Sequence, residues 1–271
     1  VEDTATKLAV VETKLDNAVN VTVTGGKAAS LTEAVALDGA TNSGTTTYDV
    51  EGNAATLGDA NLSDAQISAI ENAGTVTVSD DVTTLVLANV IAGFTKAVDF
   101  DVAVTPAVFD TISDAVLNEA GAITISGTIS IAQLDRVSGL TNSGTTTVTD
   151  ISDTVANMLT MDVSSVSRAL NATTDTSDAA SASEAATLVA ATDDITIAAI
   201  SDSAAALAAT ASTVLDNATT VTASDALTVA QFNTLNAVGN LGSYSLTDSY
   251  TDLMVDSDAD GTADATAGIA G

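Results

Sequence analysis

The chain has no cysteine, no histidine and no tryptophan, and a single proline, Pro106. Without cysteine there is no disulfide, no thiolate metal site and no cysteine nucleophile. Without histidine the commonest general base and transition-metal ligand is missing. Aromatics are only 3% of the residues, three Tyr and four Phe, which disfavours the aromatic-lined clefts of sugar-processing enzymes. No apolar run is long enough to span a bilayer, and no signal peptide is legible. The chain opens on Val1 rather than Met, which reads as a processed chain or a fragment.

Basic residues are equally scarce: six, against 36 acids, for a formal charge of −30. They are Lys7, Lys14, Lys27, Lys96, Arg136 and Arg168, and nothing after Arg168 is basic. Phosphate binding needs clustered Lys and Arg, so neither nucleic acid nor an anionic membrane is an expected partner. Such self-repulsion opposes compaction, and high salt or millimolar calcium would relieve it. The chain is nevertheless 46% hydrophobic, too apolar for disorder. Its hydrophobics are chiefly Ala, Val, Leu and Ile, suited to thin, repetitive cores.

What is abundant is recurrence. "TNSGTTT" stands at Thr41–Thr47 and again at Thr141–Thr147. Strand-like runs fall at Val21–Thr24, Thr45–Val50, Thr75–Ser79, Val98–Val104, Ala122–Ser126, Thr145–Thr149, Ile195–Ala198, Thr219–Ala223 and Ser243–Thr247, with a degenerate one near Leu170–Thr176. In them Val or Ile alternates with Thr or Ser, which places the two kinds on opposite sheet faces. Between the runs lie helix starts. Five fit the capping box: Ser30 with Glu33, Ser63 with Gln66, Ser130 with Gln133, Ser181 with Glu184, and Thr228 with Gln231. Thr105-Pro106 opens another helix, expected to run through Phe109, Ile112 and Val116 to a left-handed Gly121. The Asp of Ser79-Asp80, Thr149-Asp150 and Thr247-Asp248 is positioned to cap the helix that follows. "ISDTVANML" at Ile151 and "ISDSAAALA" at Ile200 read as a second helical type, and Val1–Asn17 as an amphipathic helix with Leu8, Val11 and Leu15 on one face.

The unit is therefore strand, turn, helix, turn in about 24 residues. Parallel strands with helical crossovers of one hand predict an α/β solenoid with a parallel sheet on one side, over residues 1–250 in about ten units. Residues 251–271 form an acidic tail. The alternative is an antiparallel β-rich domain with inserted helices. In "TNSGTTT", Asn42-Ser43-Gly44 reads as the turn closing a helix and Thr45–Thr47 as the start of a strand.

The sharpest local motif is "DSDADGTAD". Asp256, Asp258 and Asp260 supply carboxylates at alternate positions, Gly261 allows the turn, Thr262 offers its carbonyl and Asp264 binds directly or through water. This resembles the calcium loops of EF-hand, dockerin and thrombospondin type-3 proteins. It departs from them at the twelfth position, Ala267, where those families carry an acid. Asp80-Asp81, Asp99 with Asp101, and Asp193-Asp194 are weaker calcium candidates, and solvated loop charge is the favoured account of them. Asn20, Asn61, Asn171 and Asn217 begin Asn-x-Ser/Thr acceptor patterns of the kind chance supplies in a Thr-rich chain.

The whole chain resembles the Thr/Ala/Asp-rich repeats of secreted bacterial surface proteins: S-layer proteins, repeat adhesins and extracellular filament subunits. Asp202–Phe232, "DSAAALAATASTVLDNATTVTASDALTVAQF", carries this most clearly. The resemblance implies an extracellular or cell-surface setting, calcium-assisted folding and association with copies of itself. It points to a structural subunit that is not an enzyme. An adhesin module binding a surface or glycan is the alternative. Ice binding through outward Thr rows is a remoter one, since Asp99, Asp101, Ala103 and Ala198 interrupt the rows.

Overall fold

The computed structural model describes residues 1–161, 169–175, 178–191 and 195–248. The strands are β1 (Glu2–Asp3), β2 (Val21–Val23), β3 (Thr46–Thr47), β4 (Val50–Gly52), β5 (Val76–Val78), β6 (Val98–Asp99), β7 (Val102–Val104), β8 (Ile123–Ile129), β9 (Thr146–Asp153), β10 (Ala169–Thr174), β11 (Ile195–Thr196), β12 (Ile200–Asp202) and β13 (Val221–Ala223). Short helices separate most of them, giving an α/β chain.

Two compact lobes divide the chain. The first holds Val1–Gly127 and Arg136–Thr147, the second Thr128–Asp135 and the residues from Val148 on. In the first lobe β1, β2 and β3 form one sheet and β4, β5 and β6 another, while β7 pairs with β8. In the second lobe β10 lies between β9 and β11, and β12 pairs with β13. Every one of these pairings is parallel. The antiparallel alternative is thereby excluded for the described strands. Partners stand about a strand and a helix apart in sequence: Val50 lies beside Val76, Val76 beside Val98, and Ile200 beside Val221.

Alternation decides which residues face inward. Val76 and Val78 are buried and Thr77 only half-buried; Ile123 and Ile125 are buried and Thr124 exposed. In-register neighbours extend the apolar side into ladders, Val102 with Ile123 and Val104 with Ile125. Outward rows mix Thr with acids, as in Glu51, Thr77 and Asp99. Helices contribute small aliphatic faces, such as Leu31, Ala34 and Leu37. Phe109 and Phe232 are the largest side chains fully enclosed. Each such large side chain contributes about 1.5–3 kcal/mol by leaving water.

Several expectations need correction. The Val98–Val104 run is two strands: β6 pairs with β5, and β7 pairs with β8. Ser243–Thr247 forms no strand, only a single bridge from Leu246 to Leu227, and Leu241 just before it bridges Val221. Val1–Asn17 is not one helix. It is β1 followed by helices Ala5–Val10 and Glu12–Leu15. The helix at Pro106 stops at Phe109, because Ser113 caps a new helix over Asp114–Glu119. Gly121 is not left-handed; among the described residues the positive-φ glycines are Gly25, Gly26, Gly127 and Gly239. A Cβ on Gly121 would stand 2.6 Å from Asp101 Oδ1, so it is close approach that requires glycine there. Ile200–Asp202, read as part of a helical unit, is the strand β12.

Candidate functional site

All five capping boxes form, with the cap hydroxyl accepting the N–H three residues on and the Glu or Gln side chain accepting the cap N–H. The box leaves the first helical N–H without a partner. Acids further along the chain satisfy that group at three of the boxes, and at two helices that Asn53 and Ser203 cap without a box. Ala54 N–H donates to Asp80 Oδ1 at 2.5 Å, Ile131 to Asp153 Oδ2 at 3.0 Å, and Ala182 to Asp202 Oδ2 at 3.1 Å. Ala204 donates to Asp225 Oδ1 at 2.5 Å and Val229 to Asp248 Oδ2 at 3.0 Å. Each donor is the first residue of its helix, where the helix dipole also favours a carboxylate. Asp80 therefore reaches back past helix Asp64–Glu71 to the start of helix Ala54–Leu57, and Asp248 reaches back to the start of helix Val229–Asn236, while Thr84 caps the helix that follows Asp80.

In the two "ISD" segments one carboxylate serves two helices. Asp153 Oδ1 accepts Thr154 N–H at 2.8 Å, and Asp202 Oδ1 accepts Ser203 N–H at 2.7 Å, while the second oxygen of each reaches back as above. Partial burial pushes the Asp153 carboxyl up. The Asn157 amide and the N–H groups of Ile131 and Thr154 outweigh it and hold it below the ordinary value.

A second set of side-chain oxygens points forward along the chain. Asp16 accepts Thr41 N–H at 2.8 Å, Asn20 accepts Thr45 at 3.0 Å, Asp49 accepts Thr75 at 2.7 Å, and Asp101 accepts Ala122 at 2.6 Å. Asn118 accepts Thr141 at 2.7 Å, and Glu71 accepts Thr95 at 2.7 Å and Lys96 at 2.9 Å. Within this pattern the two "TNSG" copies do the same work. Asn42 and Asn142 each accept the hydroxyl four residues on, of Thr46 and Thr146. Ser43 N–H donates to Ala18 C=O and Ser143 N–H to Ala120 C=O, both at 3.2 Å. A Cβ on Gly44 would fall on the Val19 carbonyl, and one on Gly144 would lie 2.7 Å from the Gly121 backbone. The phrase is a turn into a strand, and it also fastens that turn to the preceding one.

Two polar clusters were not anticipated. Asp38 accepts from Ser68 Oγ at 2.7 Å, Asn72 Nδ2 at 2.9 Å and the Tyr48 hydroxyl at 3.1 Å, tying helix Leu31–Asp38 to helix Asp64–Glu71. Burial and the Asp38 charge push the Tyr48 phenol up, so it remains a protonated donor. Arg136 donates Nε to Asp114 at 2.7 Å, Nη1 to Phe109 C=O at 2.8 Å and Nη2 to Ile112 C=O, with its guanidinium carbon 4.3 Å from the Phe109 ring centroid. The planar fork ties the last carbonyls of helix Pro106–Phe109 and the residues beyond it.

The calcium-type residues Asp256, Asp258, Asp260, Thr262 and Asp264 lie outside the described residues, as do Asp193 and Asp194. Among the described residues no group of three or more Asp or Glu is placed to hold a metal ion. Asp80 and Asp101 are engaged with backbone N–H groups. Asn20 and Asn217, of the Asn-x-Thr patterns, hydrogen-bond to Thr45 and Thr213. Open depressions of about 430 Å³, beside Thr6, Lys27, Glu33 and Glu51, and about 350 Å³, beside Phe94, Lys96, Phe100 and Glu119, mark the surface of the first lobe. No helix among the described residues is long and apolar enough to cross a membrane. Compared with protein-family models, curated proteins and solved structures, the chain finds no match.

Proposed function

We propose that this chain is a structural, non-enzymatic subunit of an extracellular filament or surface layer. Its strand–helix units stack as a solenoid, and its copies associate with one another. The observation that carries the reading is the destination of the acids. Asp80, Asp153, Asp202, Asp225 and Asp248 each take a backbone N–H from a helix start 19 to 26 residues earlier. Carboxylates spent on neighbouring backbone build a scaffold; catalysis needs them free in a cleft beside a reacting group. Parallel partners about a unit apart, and a core of small aliphatics, are what a one-dimensional stack requires.

Calcium belongs to the same proposal. Asp256, Asp258, Asp260, Thr262 and Asp264 would supply oxygens to a hard cation, which would also relieve part of the −30 charge. Negative-stain electron microscopy of the whole chain, in millimolar calcium and again after chelation, tests both parts. Filaments or sheets that dissolve on chelation are expected. Assemblies that ignore chelation, or that the Asp256→Ala, Asp258→Ala, Asp260→Ala triple variant forms unchanged, would remove calcium from the account. Particles that stay single in every condition would overturn the structural-subunit reading.

A further inference from the structure

Three corners of the first lobe occupy corresponding places, and one of them is built differently. Val21 stands beside Thr46 and Val76 beside Val98; four residues further on, Val50 and Val102 are bridged to Ala29 and Val82. Tyr48-Asp49 therefore corresponds to Phe100-Asp101, and Asn42-Ser43-Gly44 to Phe94-Thr95-Lys96. The third corner is Asn142-Ser143-Gly144. The two Asn-Ser-Gly corners lie directly on the turn before them. Ser43 and Ser143 donate to its carbonyls, and no Cβ fits at Gly44 or Gly144. At Phe94-Thr95-Lys96 a carboxylate is interposed instead. Glu71 Oε1 accepts Thr95 N–H at 2.7 Å, and Oε2 accepts Lys96 N–H at 2.9 Å. This corner stands off from its neighbour and admits side chains where the others exclude them.

The opening receives a ring and a cation. Of the four Phe, Phe94 alone is half-buried, and the other three are buried. With the buried Ile91 and Phe100 it lines a depression of about 350 Å³, at the small end of ligand pockets. Tyr48 uses its hydroxyl on Asp38 and on Ala69 C=O. Phe100, in the corresponding place, has no hydroxyl, which keeps the floor apolar. Half-buried Lys96 and exposed Glu119 add one charge of each sign to the wall. Among the described residues these two form no ion pair with each other. Departure from a repeated local solution is where a functional constraint is expected.

The lining selects its ligand by charge as well as by shape. A simple anion is repelled by Glu119 and by the −30 charge of the chain, and a simple cation meets Lys96. A zwitterion carries no net charge and answers both groups. We propose that this pocket binds a free α-amino acid with an aromatic or large aliphatic side chain. The side chain lies against Phe94 and Phe100, where offset or edge-on ring packing is favourable. The carboxylate meets the Lys96 ammonium and the ligand ammonium meets the Glu119 carboxylate, as charge-assisted hydrogen bonds. The site binds without chemistry and does not depend on self-association.

Equilibrium dialysis of labelled L-phenylalanine against the whole chain tests this, whether or not the chain assembles. Saturable binding of one molecule per chain is expected. Phenylacetate lacks the ammonium, phenethylamine the carboxylate and alanine the ring; each should compete about tenfold more weakly or worse than unlabelled phenylalanine. Lys96→Gln and Glu119→Gln should each weaken binding by about tenfold. In Lys96→Gln, phenethylamine should then compete as well as phenylalanine, a change of preference that mere loss of stability does not produce. No saturable binding at millimolar phenylalanine would overturn the proposal. So would phenethylamine or phenylacetate competing as well as phenylalanine against the unaltered chain, or unchanged binding in both variants. Each of these results leaves the structural-subunit reading, tested by microscopy, where it stands.

Discussion

Asp202 Oδ2 accepts the N–H of Ala182 at 3.1 Å across twenty residues of chain. With its other oxygen on Ser203 N–H, this carboxylate sits between the start of helix Ala182–Ala191 and that of helix Ala204–Ala209. Replacing it orphans two backbone donors. Asp202→Ala is expected to destabilise the protein by about 2 kcal/mol, and Asp202→Asn by about half that, since one oxygen remains to accept. Urea unfolding measures both; a neutral Asp202→Ala would show that the bond is not maintained in solution.

The clamps also set a pH dependence. Thr41 N–H, followed by the Thr41 hydroxyl, holds the Asp16 carboxyl below its ordinary value, and Ser181 N–H and hydroxyl do the same for Glu184. Groups depressed in the folded state stabilise it above their unfolded pKa of about 4, and lose that contribution as pH falls through the folded value. Relief of self-repulsion works the other way between pH 7 and 5. The melting temperature should therefore rise modestly from pH 7 to about 5 and drop below about 4. A melting temperature that keeps rising to pH 3 would show that repulsion, not the clamps, dominates.

Glycine is required at the two turn copies for a reason that φ does not reveal. Gly144→Ala places a Cβ 2.7 Å from the Gly121 backbone, and Gly44→Ala meets the Val19 carbonyl. Each should cost more than about 2 kcal/mol. Gly26→Ala, with φ +71 and open space around it, should cost only about 1. Thermal melts of the three variants rank them.

Arg136→Lys keeps the charge and loses the fork. The ammonium cannot reach Asp114, Phe109 C=O and Ile112 C=O together, nor stack flat on Phe109. A loss of about 1–2 kcal/mol is expected, and more for Arg136→Ala, read by guanidinium unfolding.

What the sequence made legible were relations at short range. The capping boxes depend on residues three apart, and all five form. Strand alternation gave the inward faces of Val76, Val78, Ile123 and Ile125. Relations across a whole strand–helix segment were not legible. Asp80 stands just before helix Leu85–Ile91, and local spacing favours that one; only the fold shows that it faces Ala54, at the start of the second helix back. The corner between β6 and β7 was hidden because Val98, Phe100, Val102 and Val104 keep an unbroken period of two while the backbone changes partners. The break before Ser113 was hidden because a continuous helix also accounts for Phe109 and Ile112; the residue buried beyond it is Leu117 rather than Val116. Arg136 gave no local signal, since its partners lie 22 to 27 residues away.

The backward-reaching acids also impose an order of events during synthesis. Asp80, Asp153, Asp202, Asp225 and Asp248 are all translated after the helices whose first N–H they receive. At roughly 5–20 residues per second, the helix start at Ala54, Ile131, Ala182, Ala204 or Val229 waits about one to several seconds for its carboxylate to emerge. Ordering of the growing chain thus trails the ribosome by one strand–helix segment, and each new segment seals the one made before it.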